Sequence, residues 1–235
     1  MVMTCILASS KPWYREMAFT ELEAALPEVN FVWAETPQKL NDLLLGGGKF
    51  RYIFFLHWHW LVPESIWQAN ECVCFHMTDL PYGRGGSPLQ NLISRGKVET
   101  RLSAIRMNGE LDEGPVYTKR RLSLAGRAED IYARAARLCF DVVRWMIHNQ
   151  PAPEPQTGEA VYFDRRTPEQ SLLPSQGTLI SVYDHIRMLD APTYPYAFVE
   201  HGDFRLEFTN AEIQGGEIIA RVSIRKKSPE SGENA

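Results

Sequence analysis

The sequence has few cysteines, no surplus of positive charge and no long apolar run. Its four cysteines are irregularly spaced in 235 residues, too few for a disulfide scaffold. The C-x-C pair Cys72 and Cys74 lacks the paired C-x-x-C motifs of structural zinc sites. The formal net charge of −4 argues against a nucleic-acid partner, which usually requires a basic face. Without an apolar run of about 18 residues or a charged leader before a cleavage site, we expect no membrane span, no signal peptide and a cytoplasmic location.

Short apolar segments alternate with helix-like segments over the first half of the chain. Strands are predicted at 4–9, 30–36, 52–58, 71–77, 100–107 and 114–124. Continuous apolar runs are typical of strands that are covered on both faces. Strands interleaved with helices predict a mostly parallel sheet with right-handed crossovers. The expected fold is therefore α/β and Rossmann-like, with ligands bound beyond the carboxyl ends of the strands.

A change in composition near residue 150 predicts two parts. Residues 1–150 form the larger domain, and the three prolines that follow at 151–155 predict a linker or surface crossing. Residues 151–235 are expected to form this linker and a small C-terminal α+β subdomain, with a helix at 178–189, hairpins turning at Gly202 and at Gly215–Gly216, and a polar tail at 228–235. Exposed hairpin edges favour a homodimer.

Two segments carry residues suited to chemistry: "CFHMTDLPYGRGGSP" at 74–88 and "LDEGP" at 111–115. His76 ends a predicted buried strand and precedes a loop rich in proline and glycine. The glycines of this loop predict positive φ and close backbone approach. Because no G-K-[ST] follows them, they do not form a phosphate-binding P-loop.

These segments resemble the signature of the formyltransferases that use 10-formyltetrahydrofolate. That signature is a strand ending Asn-x-His, a Leu-Pro-x-x-x-Gly loop and, further along, an Asp-x-Gly-Pro segment, matched here by His76, 80–85 and 112–115. The stretches "RRTPEQSLLP" (165–174) and "IRMLDAPTYPYAF" (186–198) are similar to the small bacterial members that act on sugars. The resemblance implies an enzyme of surface polysaccharide biosynthesis. It would move a formyl group from 10-formyltetrahydrofolate to the amine of a nucleotide-linked 4-amino deoxysugar.

The resemblance also implies roles for single residues. His76 would donate to the oxyanion that forms when an amine attacks the formyl carbon, and Asp112 would accept the surplus proton and orient the imidazole. Cys74 occupies the family's asparagine position, and a thiol is a weaker donor than an amide. The formyl oxygen would then need a backbone N–H, His57, His59 or water instead.

The remaining predicted site residues fall into two groups. The donor pocket is assigned to Leu61, Val62, Pro63, Leu111 and Asp112. Substrate contacts are assigned to Ser9, Ser10, Lys11, His59, Asp79, Tyr82 and Arg84. The first three lie near a predicted helix N-terminus, which suits an anion, although plain helix capping explains them as well.

Three other functions stay open at this level. The "HWHW" segment at 57–60 places two histidines two positions apart, which on a strand would face the same side and could bind a metal ion in a hydrolase. No resident metal is expected in the formyltransferase interpretation. An acceptor of a different kind, methionyl-tRNA or another amine, is an alternative. So is a non-catalytic binding module that keeps the fold after the change to Cys74.

Overall fold

Eleven strands and six helices are formed by the residues that the computed structural model describes, 2–192 and 194–227. The strands are β1 (Met3–Ser9), β2 (Val29–Ala34), β3 (Tyr52–His57), β4 (Cys72–His76), β5 (Tyr82–Gly85), β6 (Glu99–Arg106), β7 (Val116–Ser123), β8 (Val161–Phe163), β9 (Ala197–His201), β10 (Phe204–Gln214) and β11 (Glu217–Lys226). The helices are α1 (Trp13–Ala25), α2 (Pro37–Leu45), α3 (Glu64–Ala69), α4 (Pro88–Ser94), α5 (Ala128–Asn149) and α6 (Leu179–Arg187). A 3₁₀ helix covers Pro168–Ser171. The predicted tail at 228–235 lies outside the described residues.

A six-stranded sheet with the order β2-β1-β3-β4-β6-β7 confirms the predicted fold class. The first four strands are parallel, while β6 pairs antiparallel with both β4 and β7. Alternate side chains of β3 enter different apolar clusters, Phe54 on one face and Phe55 on the other. Coverage of both faces explains why these strands read as continuous apolar runs.

Local signals set where two of the helices lie. Pro37 occupies the first turn of α2, and the Thr36 hydroxyl accepts a hydrogen bond from the Lys39 amide at 3.1 Å, which satisfies one of the unpaired donors of a helix start. Helix α5 buries a stripe that includes Ile131 and Phe140 on one face of the sheet. Full burial of a side chain such as Phe140 stabilises the fold by about 1.5–3 kcal/mol.

The C-terminal part adds a second, three-stranded sheet and one strand of a third, two-stranded sheet. Strands β9, β10 and β11 form an antiparallel sheet whose turns lie at the predicted glycines, Gly202 and Gly215–Gly216. Strand β8 instead pairs in parallel with β5, a contact that the sequence did not predict. The division of the chain at residue 150 stays a prediction. None of the helices in the described residues is long and apolar enough to cross a membrane.

Candidate active site

The loop after β4 is shaped by close backbone contacts that leave no room for side chains. Gly83 has a φ of 80°, and an added Cβ would lie 2.7 Å from the Phe163 ring and 2.8 Å from the Thr78 methyl. The Gly83 carbonyl accepts hydrogen bonds from the Thr78 hydroxyl at 3.2 Å and from the His76 ring at 2.8 Å. The glycine loop therefore folds back over the end of β4 and fixes the imidazole.

His76 and Asp112, predicted to act together, face each other at the carboxyl end of β4. The His76 Nδ1 and Asp112 Oδ2 atoms are 3.5 Å apart, and both side chains are largely buried. Asp112 adopts a φ of 55° in the loop between β6 and β7, a conformation that aspartate tolerates better than most residues. Its Oδ2 also accepts a hydrogen bond of 2.9 Å from the Gly85 amide. The sheet thus brings together two residues that are far apart in sequence.

The hydrogen bonds of His76 assign its tautomer. Because a carbonyl only accepts, Nε2 must carry the proton that is donated to Gly83. In the neutral ring, Nδ1 is then a proton acceptor beside Asp112. His76 can donate from Nδ1 only when both ring nitrogens carry a proton.

A cavity of about 930 Å³ opens in front of this pair. Strand ends contribute His57, Cys74 and His76, and the β6–β7 loop contributes Leu111 and Asp112. Further walls come from α1, α5 and the segment around the 3₁₀ helix, which the sequence did not assign to the site: Trp13, Tyr14, Met17, Glu129, Tyr132, Arg165, Arg166 and Thr167. The amphipathic pattern of α1 and α5 marks residues such as Tyr14 and Tyr132 as core, so no local signal distinguished them.

Cys74 lies at the cavity, in the position predicted for it. Burial, then the charge of Asp112, raises the pKa of its thiol well above the ordinary value. The group is therefore a neutral thiol at neutral pH, suited to packing or weak hydrogen bonding and unsuited to nucleophilic attack.

The two histidines of "HWHW" do not act as a pair. Strand β3 ends at His57, so the alternation that would place His59 on the same side stops there. The His57 ring packs near Tyr14 and Tyr132, while His59 lies against Trp60 with ring centroids 3.9 Å apart. Within 2–192 and 194–227, no group of three His, Cys, Asp or Glu side chains is arranged to hold a metal ion. The geometry gives the metal-hydrolase alternative no support.

Electrostatics keep His57 neutral. Burial, followed by the charges of Lys11 and His59, lowers its pKa from 6.5 to about 4. A neutral imidazole in the cavity can donate one hydrogen bond and accept another. His57 therefore remains a candidate partner for the formyl oxygen.

The predicted donor-pocket residues divide in the structure. Leu61 and Leu111 line the cavity and are 92% and 61% exposed. Val62 packs against the apolar cluster on one face of the sheet, and Pro63 precedes α3 as its N-cap. Neither of these two borders the cavity.

The predicted substrate residues also divide. Lys11 and His59 line the cavity. The Ser9 and Ser10 hydroxyls instead donate to the His57 carbonyl at 3.3 Å and 3.0 Å, which ties β1 to the end of β3. The Ser9 hydroxyl also accepts a hydrogen bond from the Lys11 amide at 3.2 Å. Neither serine caps α1, whose N-cap is Pro12, so the connection between strands accounts for both hydroxyls.

Asp79, Tyr82 and Arg84 lie outside the cavity lining. Asp79 forms an ion pair of 2.6 Å with Lys119, and Tyr82 packs edge-on against Phe163. Arg84 is buried and forms an ion pair of 2.6 Å with Glu113. Asp79 and Arg84 thus have charged partners within the protein, Tyr82 has a ring contact, and none of the three borders the cavity where the substrate contacts were expected.

Comparison with known proteins identifies relatives over nearly the whole chain. A solved methionyl-tRNA formyltransferase from Clostridium thermocellum is 42% identical, with a TM-score of 0.91 over 96% of this chain and 100% of that chain. A curated methionyl-tRNA formyltransferase from Sorangium cellulosum is 29% identical over 147 residues, 59% of this chain and 47% of the relative. A sugar N-formyltransferase from Shewanella is 14% identical, with a TM-score of 0.65 over 94% of this chain and 97% of that chain.

The C-terminal part and the chain length add detail. A family model described as the methionyl-tRNA formyltransferase C-terminal domain matches residues 168–225. The chain spans about half the length of the curated relatives that it matches.

These comparisons overturn two predictions. The nucleotide-linked amino sugar is wrong as the main acceptor, because the relatives with substantial identity are methionyl-tRNA formyltransferases. The sugar enzymes share only the fold at this level of identity. The expectation of no nucleic-acid partner is wrong for the same reason. It relied on net charge, which describes the average surface and carries no information about a single local site.

Proposed function

Because this chain belongs to the formyltransferase family, we propose that it transfers a formyl group from 10-formyltetrahydrofolate to the amino group of methionyl-tRNA. Family membership confirms the predicted transferase class and, for the family, the predicted donor. The observation that carries the proposal is the His76–Asp112 pair, 3.5 Å apart at the wall of a cavity of about 930 Å³. The acceptor is inferred from the 42% identity to the Clostridium thermocellum enzyme.

The reaction needs one new bond, one broken bond and one proton transfer. The acceptor nitrogen attacks the formyl carbon, and the bond from that carbon to N10 of the donor then breaks. The surplus proton of the acceptor nitrogen ends on N10, which gives tetrahydrofolate and formyl-methionyl-tRNA. No oxidant or further reactant is required.

His76 and Asp112 are suited to move this proton. With Nε2–H held by the Gly83 carbonyl, the Nδ1 atom and the Asp112 carboxylate both face the reaction as acceptors. Once the imidazole is protonated, its Nδ1–H can stabilise the oxyanion and then supply the leaving nitrogen. The sequence-based role of His76 as a donor therefore applies to the protonated ring.

Exposed apolar side chains support a donor site at the cavity rim. Leu61, Leu111 and Trp60 are 92%, 61% and 37% exposed, and all three line the cavity. A flat ring system that covered them would remove apolar surface from water, which is worth about 25 cal/mol per Å². The pterin and benzoyl groups of the donor offer such surfaces.

Cationic groups support an acceptor that carries phosphate. Lys11, Arg165 and Arg166 line the cavity. The Nε atom of Arg166 is buried, and no described residue accepts its proton. A phosphate oxygen near the 3′ end of a tRNA would satisfy such a donor, and charged hydrogen bonds of this kind are strong.

The proposal is tested by supplying the purified protein with 10-formyltetrahydrofolate and methionyl-tRNA. We expect formyl-methionyl-tRNA, detected by mass spectrometry of the released amino acid. Free methionine with deacylated tRNA serves as the acceptor control, and the Clostridium thermocellum enzyme shows that the reagents are active. If that enzyme formylates methionyl-tRNA and this protein does not, the proposed acceptor is wrong.

A further inference from the structure

Asp112 depends on its loop for its position. Residues 107–115 contain no helix or strand, and Asp112 itself has a φ of 55°. A side chain in this left-handed region costs about 1–2 kcal/mol relative to ordinary backbone. The carboxylate can therefore stay beside His76 only if other contacts hold the loop in this conformation.

Gln156 supplies such contacts from the far side of the loop. Its Nε2 donates to the Asp112 carbonyl and to the Gly114 carbonyl, each at 2.8 Å. The two carbonyls lie on either side of Glu113, so one amide group bridges the turn that carries the catalytic carboxylate. Gln156 is 44 positions from Asp112 and comes from the proline-rich segment that the sequence marked only as a linker.

Arg84 fixes the orientation of that amide. Its Nε and Nη2 atoms donate to Gln156 Oε1 at 3.3 Å and 2.9 Å. With the amide oxygen held by the guanidinium, the amide nitrogen must face the two carbonyls. Arg84 is buried, and its Nη1 pairs with Glu113 at 2.6 Å, so the same guanidinium grips the loop directly.

A further hydroxyl completes the arrangement. The Tyr162 hydroxyl donates to Glu113 at 2.6 Å and accepts from Arg84 at 3.1 Å. All three supporting side chains, Arg84, Gln156 and Tyr162, lie outside the cavity lining. Their polar groups form hydrogen bonds with each other and with the loop, so they have partners without any substrate.

We propose that Gln156 and Arg84 are positioning residues that hold the Asp112 carboxylate beside His76 and so set the rate of formyl transfer without touching substrate. The inference rests on the proposed function for its kinetic readout. Its structural readout, the place of Asp112, is independent of any acceptor.

The decisive variant is Gln156→Glu, which keeps the shape of the side chain. Glutamate can still accept from Arg84, but it cannot donate to the Asp112 and Gly114 carbonyls when ionised. Displacing a catalytic group by about 1 Å can cost about 100-fold in rate. We expect kcat to fall roughly 10- to 100-fold with little change in either KM. The control is Gln176→Glu, which adds the same charge at an exposed glutamine and should leave kcat unchanged.

Hydrogen exchange at two backbone amides distinguishes a displaced Asp112 carboxylate from a general loss of stability. The Gly85 N–H donates to Asp112 Oδ2, whereas the adjacent Gly86 N–H donates to the Phe163 carbonyl. In Q156E we expect faster hydrogen exchange at Gly85, measured by NMR, with Gly86 unchanged. Protection that stays at the wild-type level at Gly85, or a kcat equal to that of the wild type, would overturn the proposal.

Arg84→Lys tests the second residue through additivity. Lysine keeps a charge opposite Glu113 but loses the two-pronged contact with Gln156. If both residues act through the same set of contacts, the kcat of the double variant should be little lower than that of Q156E alone. Fold-losses in kcat that multiply would contradict a shared action. A wild-type protein without activity on methionyl-tRNA would refute the proposed function, and the Gly85 exchange of Q156E would still decide this inference.

Discussion

Burial of His57 should make the stability of the protein sensitive to mild acid. The folded state lowers the pKa of this imidazole from 6.5 to about 4, mainly through burial. Between these two values the unfolded chain takes up a proton that the folded chain does not, so stability falls as the pH drops below about 6.5. At about 1.4 kcal/mol per pKa unit, the loss is about 2 kcal/mol at pH 5 and about 3 kcal/mol at pH 4, and it is complete only below pH 4.

The assay is urea unfolding of the wild type and of His57→Gln at several pH values from about 7 to about 5. The wild type should lose about 2 kcal/mol more than the variant across this range. His201→Gln, which alters an exposed histidine on β9, serves as the control and should follow the wild type. If His57→Gln loses stability with pH as steeply as the wild type, the imidazole is not the group that responds and the reasoning is refuted.

Three further substitutions probe the site. His76→Ala should lower kcat by roughly 100- to 1,000-fold in the formyl-transfer assay, as removal of an oxyanion donor does; a wild-type rate would remove His76 from the mechanism. Cys74→Ala should cost no more than roughly tenfold in kcat, because a neutral thiol is a weak donor, and a loss equal to that of His76→Ala would contradict this. Gly83→Ala should lower the free energy of unfolding, measured by thermal denaturation, by about 1–3 kcal/mol, because the added methyl clashes with Phe163 and Thr78. Gly47→Ala, at a similar φ of 75° with open space around it, should cost less, and equal costs would refute the role of the clash.

The parallel strands were accessible from sequence because they have a local signature, whereas the pairing of His76 with Asp112 came from the resemblance of their two segments to a known family. Apolar runs mark the strands, and strand ends gather at one edge of a parallel sheet. The β5–β8 pair was missed because both strands are short. "YGRG" is half glycine and "VYF" has only three residues, so neither shows the alternation of a strand. The H-x-H pattern left a metal site open as an alternative because the sequence did not show that strand β3 ends at the first of its two histidines.

Arg84 and Gln156 illustrate a different limit. An arginine between glycines has the composition of a surface loop, and a glutamine among prolines has that of a linker. Only the folded chain places the guanidinium under the loop of Asp112 and gives both amide atoms of Gln156 a partner. Their roles come from contacts over 72 and 44 positions, which no period or motif records.

The parallel pairing of β5 with β8 has a consequence for how such proteins can be shortened or recombined. This two-stranded sheet joins the loop after His76 to residues 161–163, which follow the proline-rich segment at 151–155. A fragment that ends at residue 150 would keep His76 and Asp112 but would lose β8, which pairs with the strand between them. Exchange of the C-terminal portion between relatives would therefore replace the partner strand of β5 and disturb the loop that follows His76.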